Sequence, residues 1–238
     1  LVRQAYNSIT LDNLTYTIGA IDNKLTNILD AATNTFASAV NFKTPSTSAS
    51  SSFSYDAIGQ LTVSAAENVA KIDYTPDGKV KLIIFTNNDT TCFEYGPGGQ
   101  KIKSRYYMYS TGKYKYTWFV GPYIYEYDQS AGSTFKIAEV KIPTGLLRVN
   151  AANLNSAYTV YQVSDHLGNV RATFKGSGTN SGITILSATD YYTFGGEIPG
   201  RKWTSDNYRF GYQSQEKPDA TNSSNPWYSF ELRMYNQD

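Results

Sequence analysis

Tyr55-Asp56-Ala57-Ile58-Gly59 returns as Tyr74-Thr75-Pro76-Asp77-Gly78 and again as Tyr95-Gly96-Pro97-Gly98-Gly99. The intervals, Tyr55 to Tyr74 and Tyr74 to Tyr95, are 19 and 21 residues. Each unit sets a tyrosine before a turn former and a glycine four residues after the tyrosine. Asp at the first turn position bonds forward to the backbone, and Gly at the fourth accepts positive φ and closes a type I turn, often with a bulge. A period near 20 residues is one hairpin: strand, turn, strand, turn. One hairpin cannot bury its own face, so neighbours must stack side by side. The units therefore predict an all-β chain of stacked antiparallel hairpins.

The segments between turns agree. Lys79-Val80-Lys81-Leu82-Ile83-Ile84-Phe85 and Lys113 to Val120 alternate as strands do, and Tyr123-Ile124-Tyr125-Glu126-Tyr127 places an aromatic at every second position, as a strand with one packed face requires. A helix is expected only over 20–40, where Ile21, Leu25, Ile28, Leu29 and Phe36 have partly helical spacing. Residues 44–52 read as a Ser/Thr-rich loop, 176–182 as a hairpin tip, and 213–226 as a polar loop before a final strand, Trp227 to Tyr235. Three parts follow: an irregular segment 1–52, hairpin repeats 53–157, and a third part 158–238 in which the period loosens.

Composition narrows the function. Hydrophobic residues make up 40% of 238, enough for a core, but charged residues only 17%, below the usual ~25%. Tyrosine, at 21 residues against 11 phenylalanines, suits a half-buried pleated surface, with its ring packed and its hydroxyl bonded or wet. A net charge of +1 offers no steering towards nucleic acid, and the tyrosine- and lysine-rich stretch 101–116 reads as one solvated and one packed sheet face. No apolar run approaches the ~18 residues of a membrane span. The opening Leu1-Val2-Arg3 reads as the interior of a longer chain.

Catalytic chemistry finds few candidates. Cys92, the single cysteine, reads as a packed strand thiol. His166, the single histidine, reads as a turn residue bonded to its neighbours; as a general base it would need an orienting acid and a nucleophile. A His/Cys metal cluster is excluded, and no cofactor is expected: Gly98-Gly99 and Gly195-Gly196 lack the context of phosphate loops. Asp190, Glu197 and Glu216 could supply the paired carboxylates of a hydrolase.

Four segments of the last part carry a family likeness. They are Asp165-His166-Leu167-Gly168-Asn169-Val170-Arg171; Asp190-Tyr191-Tyr192-Thr193-Phe194-Gly195 with Ile198-Pro199-Gly200-Arg201; Tyr208-Arg209-Phe210-Gly211-Tyr212-Gln213-Ser214-Gln215-Glu216-Lys217; and Tyr228 to Tyr235, which contains Arg233-Met234-Tyr235. In this order they resemble the RHS-repeat-associated core region, in versions seen in Bacteroidetes proteins. The upstream tyrosine–glycine units resemble the YD repeat, with Thr193 departing from the family's proline and residues 1–50 matching least.

The resemblance implies a β-ribbon spiralling into a shell that encloses a C-terminal effector or toxin, as in secreted polymorphic toxins of interbacterial competition. The expected partners are the rest of the parent chain, that effector, an immunity protein and a delivery machine. The expected location is secreted or on the bacterial surface. The expectation is a scaffold and not an enzyme, because the family's self-cleaving acids follow the Arg-Met-Tyr element, beyond Asp238. Arg171, Arg201, Arg209 and Arg233 read as anchors between ribbon turns, with cargo binding the sharper alternative. A surface adhesin or carbohydrate-binding module is the second reading, and the hydrolase the third.

Overall fold

The computed structural model describes residues 2–4, 10–31, 52–65, 67–132, 134–149, 157–176, 182–205, 208–217, 227–230 and 234–236. Every regular element in it is a strand or a one-turn 3-10 helix, the latter at Gln129–Ala131 and Tyr212–Ser214. Two compact units divide the chain, residues 1–89 and 90–237.

In the first unit, β1 (Val2–Gln4), β2 (Thr10–Ile18) and β3 (Leu25–Asp30) form a three-stranded antiparallel sheet. The helix expected over 20–40 does not form where the chain is described: 20–22 are a turn and Leu25–Asp30 is strand β3. Ile28 is buried in that strand while Ile21 is fully exposed, so the apolar residues that mimic a helical stripe serve a turn and a strand instead. Phe36 and most of the loop 44–52 lie outside the described residues. Then follow β4 (Phe53–Tyr55), β5 (Leu61–Ser64), β6 (Val69–Tyr74) and β7 (Val80–Phe85), each antiparallel to the next. Ile72 faces Ile83 across β6 and β7, both buried, with Val69 and Val80 beside them. Each such side chain contributes about 2 kcal/mol.

The second unit strings ten strands in chain order. They are β8 (Thr90–Tyr95), β9 (Lys101–Met108), β10 (Lys113–Val120), β11 (Tyr123–Asp128), β12 (Lys136–Ile142), β13 (Gly145–Arg148), β14 (Tyr158–Ser164), β15 (Val170–Gly176), β16 (Ile183–Tyr191) and β17 (Glu197–Thr204). The expected final strand over Trp227 to Tyr235 is two paired strands, β18 (Trp227–Ser229) and β19 (Met234–Asn236).

The face of this sheet that is covered carries Ile124, Leu146, Val160, Val170 and Leu186. The last four form one cluster with Tyr208, and Phe210 packs against it. The alternation in β11 runs opposite to expectation: Ile124 is 0% exposed while Tyr123 is 43% exposed. The aromatic row of that strand therefore lies on the open face.

Candidate functional site

Six hairpin turns share one backbone pattern. The opener's N–H bonds a carbonyl four residues on, and the closer's N–H bonds the opener's carbonyl. This holds for Asp56 with Gly59, Thr75 with Gly78, Phe85 with Asn88, Gly96 with Gly99, Asp165 with Gly168 and Tyr192 with Gly195. All six closers have positive φ, the conformation for which glycine, and next asparagine, pays least. The ladder register shifts beside the turns opened by Asp56, Thr75, Gly96, Asp165 and Tyr192, which is the bulge that this geometry leaves.

The openers' side chains finish the turn in different ways. Asp56 Oδ1 accepts from the N–H groups of Ile58 and Gln60 at 3.0 and 2.8 Å. Thr75 Oγ1 takes the same place for Lys79 N–H at 3.0 Å. Asp165 accepts from Leu167 and Asn169 N–H, both at 3.0 Å, and from the Asn169 side chain at 2.8 Å. Desolvation raises the Asp165 carboxyl, but these bonds and Arg171 outweigh it and hold it below its usual range. His166 is exposed, and among the described residues no acid bonds its ring; Asp165, not His166, makes the bonds of this turn.

The tyrosine before the opener has a second task. The Tyr55 hydroxyl donates to Leu25 O at 2.9 Å, that of Tyr74 to Leu61 O at 2.6 Å and that of Tyr191 to Val170 O at 3.2 Å. Each acceptor lies two residues after the positive-φ closer of an earlier turn: Asn23, Gly59 and Gly168. One hairpin's tyrosine thus stitches the backbone of the hairpin before it. Burial pushes the pKa of all three hydroxyls above the ordinary tyrosine value, and the nearby acids Asp22, Asp56 and Glu197 respectively add to this.

The third site is the segment Tyr208–Lys217, a strap across the covered face of the second unit. Arg209 lies at its centre, 8% exposed, with Nη2 at 2.5 Å from Glu126, Nε at 2.7 Å from Glu139 and Nη1 at 3.1 Å from Glu216. Lys101 Nζ reaches Glu216 at 2.5 Å, and Arg148 Nε reaches Glu139 at 3.3 Å. Three cations thus meet three carboxylates, drawn from β9, β11, β12, β13 and the strap. Burial lowers the Arg209 guanidinium, but Glu139, Glu216 and Glu126 more than reverse this and hold it above its usual value. Burial pushes the Glu216 carboxyl up, and Lys101 and Arg209 outweigh it and hold it below. Sequence reasoning reached Arg209 and Glu216 but missed Lys101, Glu126, Glu139 and Arg148. Glu126 carried a signal: it shares the parity of buried Ile124, not that of the tyrosines.

The core elements meet at this strap. Asn169 Oδ1 accepts from Gln213 N–H at 2.9 Å, and the Ser214 hydroxyl donates to Gly168 O at 2.8 Å. Tyr208 bonds Gln162 at 2.7 Å. Tyr212 lies over Gly195, where a Cβ would come within 2.6 Å of its ring. At Gly211 a Cβ would meet Lys217 Cε at 2.6 Å and the Tyr228 hydroxyl at 2.7 Å. Leu167 and Phe194 stay exposed at their turn tips, Tyr192 is exposed, and the Tyr235 hydroxyl bonds Phe194 O at 2.7 Å. Gly200 takes positive φ in β17, and of Pro199 only the backbone is described. Arg233 lies outside the described residues.

The acids proposed for hydrolysis are each held by cations. Asp190 pairs with Arg171, and with Arg201 at 2.9 Å. Glu197 pairs with Lys202 at 2.5 Å and Lys217 at 3.0 Å; burial raises its carboxyl, but Lys217 and Lys202 outweigh it and hold it low. An acid catalyst needs a carboxyl raised by its surroundings, and both Glu197 and Glu216 shift the other way. Among the described residues no group of three or more His, Cys, Asp or Glu could hold a metal ion. Cys92 is half-buried, with the Arg105 guanidinium 3.2 Å from its sulfur.

The open face of β9 to β11 bears an aromatic band. Tyr114, Tyr116 and Trp118 stack offset along β10 at 5.8 and 5.5 Å, and Phe135 stacks on Tyr125 at 5.4 Å.

No family model matches the chain, and no curated protein matches it. Solved structures do. TcdB2-TccC3-Cdc42 aligns with 94% of this chain at 14% identity and TM-score 0.62. TcdB2-TccC3 aligns at 14% identity and TM-score 0.61, and TcdB2-TccC3 without its hypervariable C-terminal region at 13% and 0.59, each over 94% of this chain. In all three, this chain covers 10% of the matched chain. The likeness establishes a fold shared with a tenth of those molecules.

Proposed function

We propose that this chain is a wall segment of an RHS/YD-repeat shell, secreted or displayed on a bacterial surface, and that the shell encloses a C-terminal effector of its parent protein. The observation that carries this reading is the tyrosine stitch. It repeats at three hairpins, binds each to an earlier turn, and uses backbone acceptors that every hairpin possesses. Such a device lengthens a ribbon without limit, which suits a wall. The four motif segments support the reading, as does the fold shared with TcdB2-TccC3, one structure of which lacks a hypervariable C-terminal region. The candidate acids support a scaffold as well, being spent on ion pairs. An immunity protein and a delivery machine complete the proposed partners.

The test is protease protection of the natural parent protein, with its intact mass and terminal sequences determined first. A segment after residue 238 that survives digestion in the native protein, and is degraded once the shell is denatured, supports the proposal. Digestion of that segment at the same rate in both states, or a parent protein that ends here, rejects it.

A further inference from the structure

We propose that the strap Tyr208–Lys217 is a charge-registered lid that acid lifts from the second unit's sheet while the strands beneath stay paired. The inference goes beyond the shell reading and does not depend on it.

The ties of the strap differ in kind from those of the sheet. Among the described residues one backbone hydrogen bond, Val170 N–H to Gly211 O at 3.0 Å, joins it to the sheet of β8 to β17. Its other backbone bonds are its own or go to β18 through Ser229 N–H and Glu216 O. What seats it are side chains: Arg209 on Glu126 and Glu139, Glu216 on Lys101, Lys217 on Glu197, and the Gly168–Asn169 turn on Gln213 and Ser214. Lifting it breaks no strand ladder, so it can open as a unit of its own below the global unfolding free energy. It would bare Leu146, Val160, Val170 and Leu186.

Buried ions register the strap, because a shift by one residue would leave Arg209 or Glu216 buried without its counter-charge, at a cost far above that of a slipped apolar contact. The groups facing Glu216 are Lys101 from β9, Arg209 beside it, and Lys115 and Tyr106 at the small cavity that Glu216 also lines. Beyond Arg209 stand Glu126 and Glu139, and beyond Glu139 stands Arg148. Three carboxyls held below their usual range sit at the strap's seat: Glu216 within it, Glu197 under Lys217, and Asp165 in the turn that docks Gln213. A carboxyl whose folded value is depressed stabilises above its unfolded value, and that contribution is lost as pH falls through the folded value. Protonation therefore weakens the seat below the ordinary carboxylate range, about 4.5 for glutamate. Neutral Glu216 leaves Lys101 without its carboxylate, while Arg209 keeps Glu126 and Glu139; the uncompensated buried ammonium drives the strap outward.

The experiment is hydrogen exchange of this chain, read by mass spectrometry as protection factors corrected for intrinsic rate, between about pH 7 and about pH 3. The expected result is loss of protection in peptides covering 208–217 at a pH where those of β13 to β15 remain protected. Simultaneous loss in both, or a strap still protected at about pH 3, overturns the proposal. Glu216→Gln offers a second arm: removing one member of a buried charge cluster raises strap opening at neutral pH roughly 100-fold. Strap protection unchanged by this substitution overturns the proposal too. The wild-type titration decides the matter alone if that variant does not fold.

Discussion

Replacing Tyr55 and Tyr74 together by phenylalanine isolates the stitch. Phenylalanine keeps the ring and its burial, so the change removes two hydroxyls and their bonds of 2.9 and 2.6 Å to Leu25 O and Leu61 O. Each lost bond costs about 1 kcal/mol, within a range of roughly 0.5–1.5. The two acceptors open different strands, β3 and β5; Leu61 is also the ladder partner of Tyr55, so the sites are neighbours and the sum of the losses, about 2 kcal/mol, is a first-order figure. Both tyrosines belong to the unit of residues 1–89, and for a unit of that size 1 kcal/mol shifts Tm by about 4–8 °C. The expected drop in that unit's transition is on the order of 10 °C, measured by scanning calorimetry with circular dichroism alongside. Tyr16→Phe, at a hydroxyl on an exposed residue, is the control and should stay within about 0.5 kcal/mol of wild type. A double variant melting no lower than that control would refute the claim that the hydroxyls bind hairpin to hairpin.

Gly145→Ala places a Cβ 2.0 Å from Val160 O, a backbone atom of the paired strand, at φ +151; β13 and β14 cannot stay paired around it. A loss of roughly 3 kcal/mol or more is expected in urea unfolding. Arg209→Met leaves Glu126 without a cation among the described residues, whereas Glu139 keeps Arg148 and Glu216 keeps Lys101. Its expected cost is about 3–5 kcal/mol, and replacing Arg209, Glu126 and Glu139 together by apolar residues of similar volume should cost much less, a comparison that urea titrations of both variants make directly. Alkaline titration followed by tyrosinate absorbance should show Tyr55, Tyr74, Tyr191 and Tyr228 ionising later than exposed tyrosines. Their folded values are raised, so the stability they supply is complete below pH 10, the ordinary tyrosine value, and falls as pH rises beyond it.

The fold was legible where local chemistry decides it. A turn with a positive-φ closer is specified within five residues, so Asp56 to Gly59 and its repeats announce the hairpins by themselves. The stretch 20–40 misleads because Ile21, Leu25 and Ile28 are spaced as a helix would space them, and only pairing with β2 decides for a strand. The ion cluster was half visible. Arg209 and Glu216 stand in recognisable motifs, and the parity of Glu126 with Ile124 places it inward. Glu139 was hidden by a bulge: the ladder slips between Ile124 and Tyr125, so Ile124 faces Glu139 while Tyr125 faces Ile137. A period of two cannot be counted through such a slip. Lys101 depends on the strap's position, which pairs residues 115 and 70 positions apart, as Lys101 with Glu216 and Glu139 with Arg209, and Arg148 stands opposite Glu139 in the β12–β13 ladder and was hidden with it.

The turn opener is aspartate, threonine, phenylalanine, glycine, aspartate or tyrosine in the six hairpins, while the backbone bonds that close them stay the same. Their geometry is thus encoded sparsely: one residue tolerant of positive φ, and, at the hairpins opened by Asp56, Thr75 and Tyr192, a tyrosine that bonds a neighbour's carbonyl. The exposed side chains of Ile58 and Leu167 at two of these tips take no part in the closing bonds, so the masonry sets the shape of a tip and leaves open the chemistry it shows to solvent.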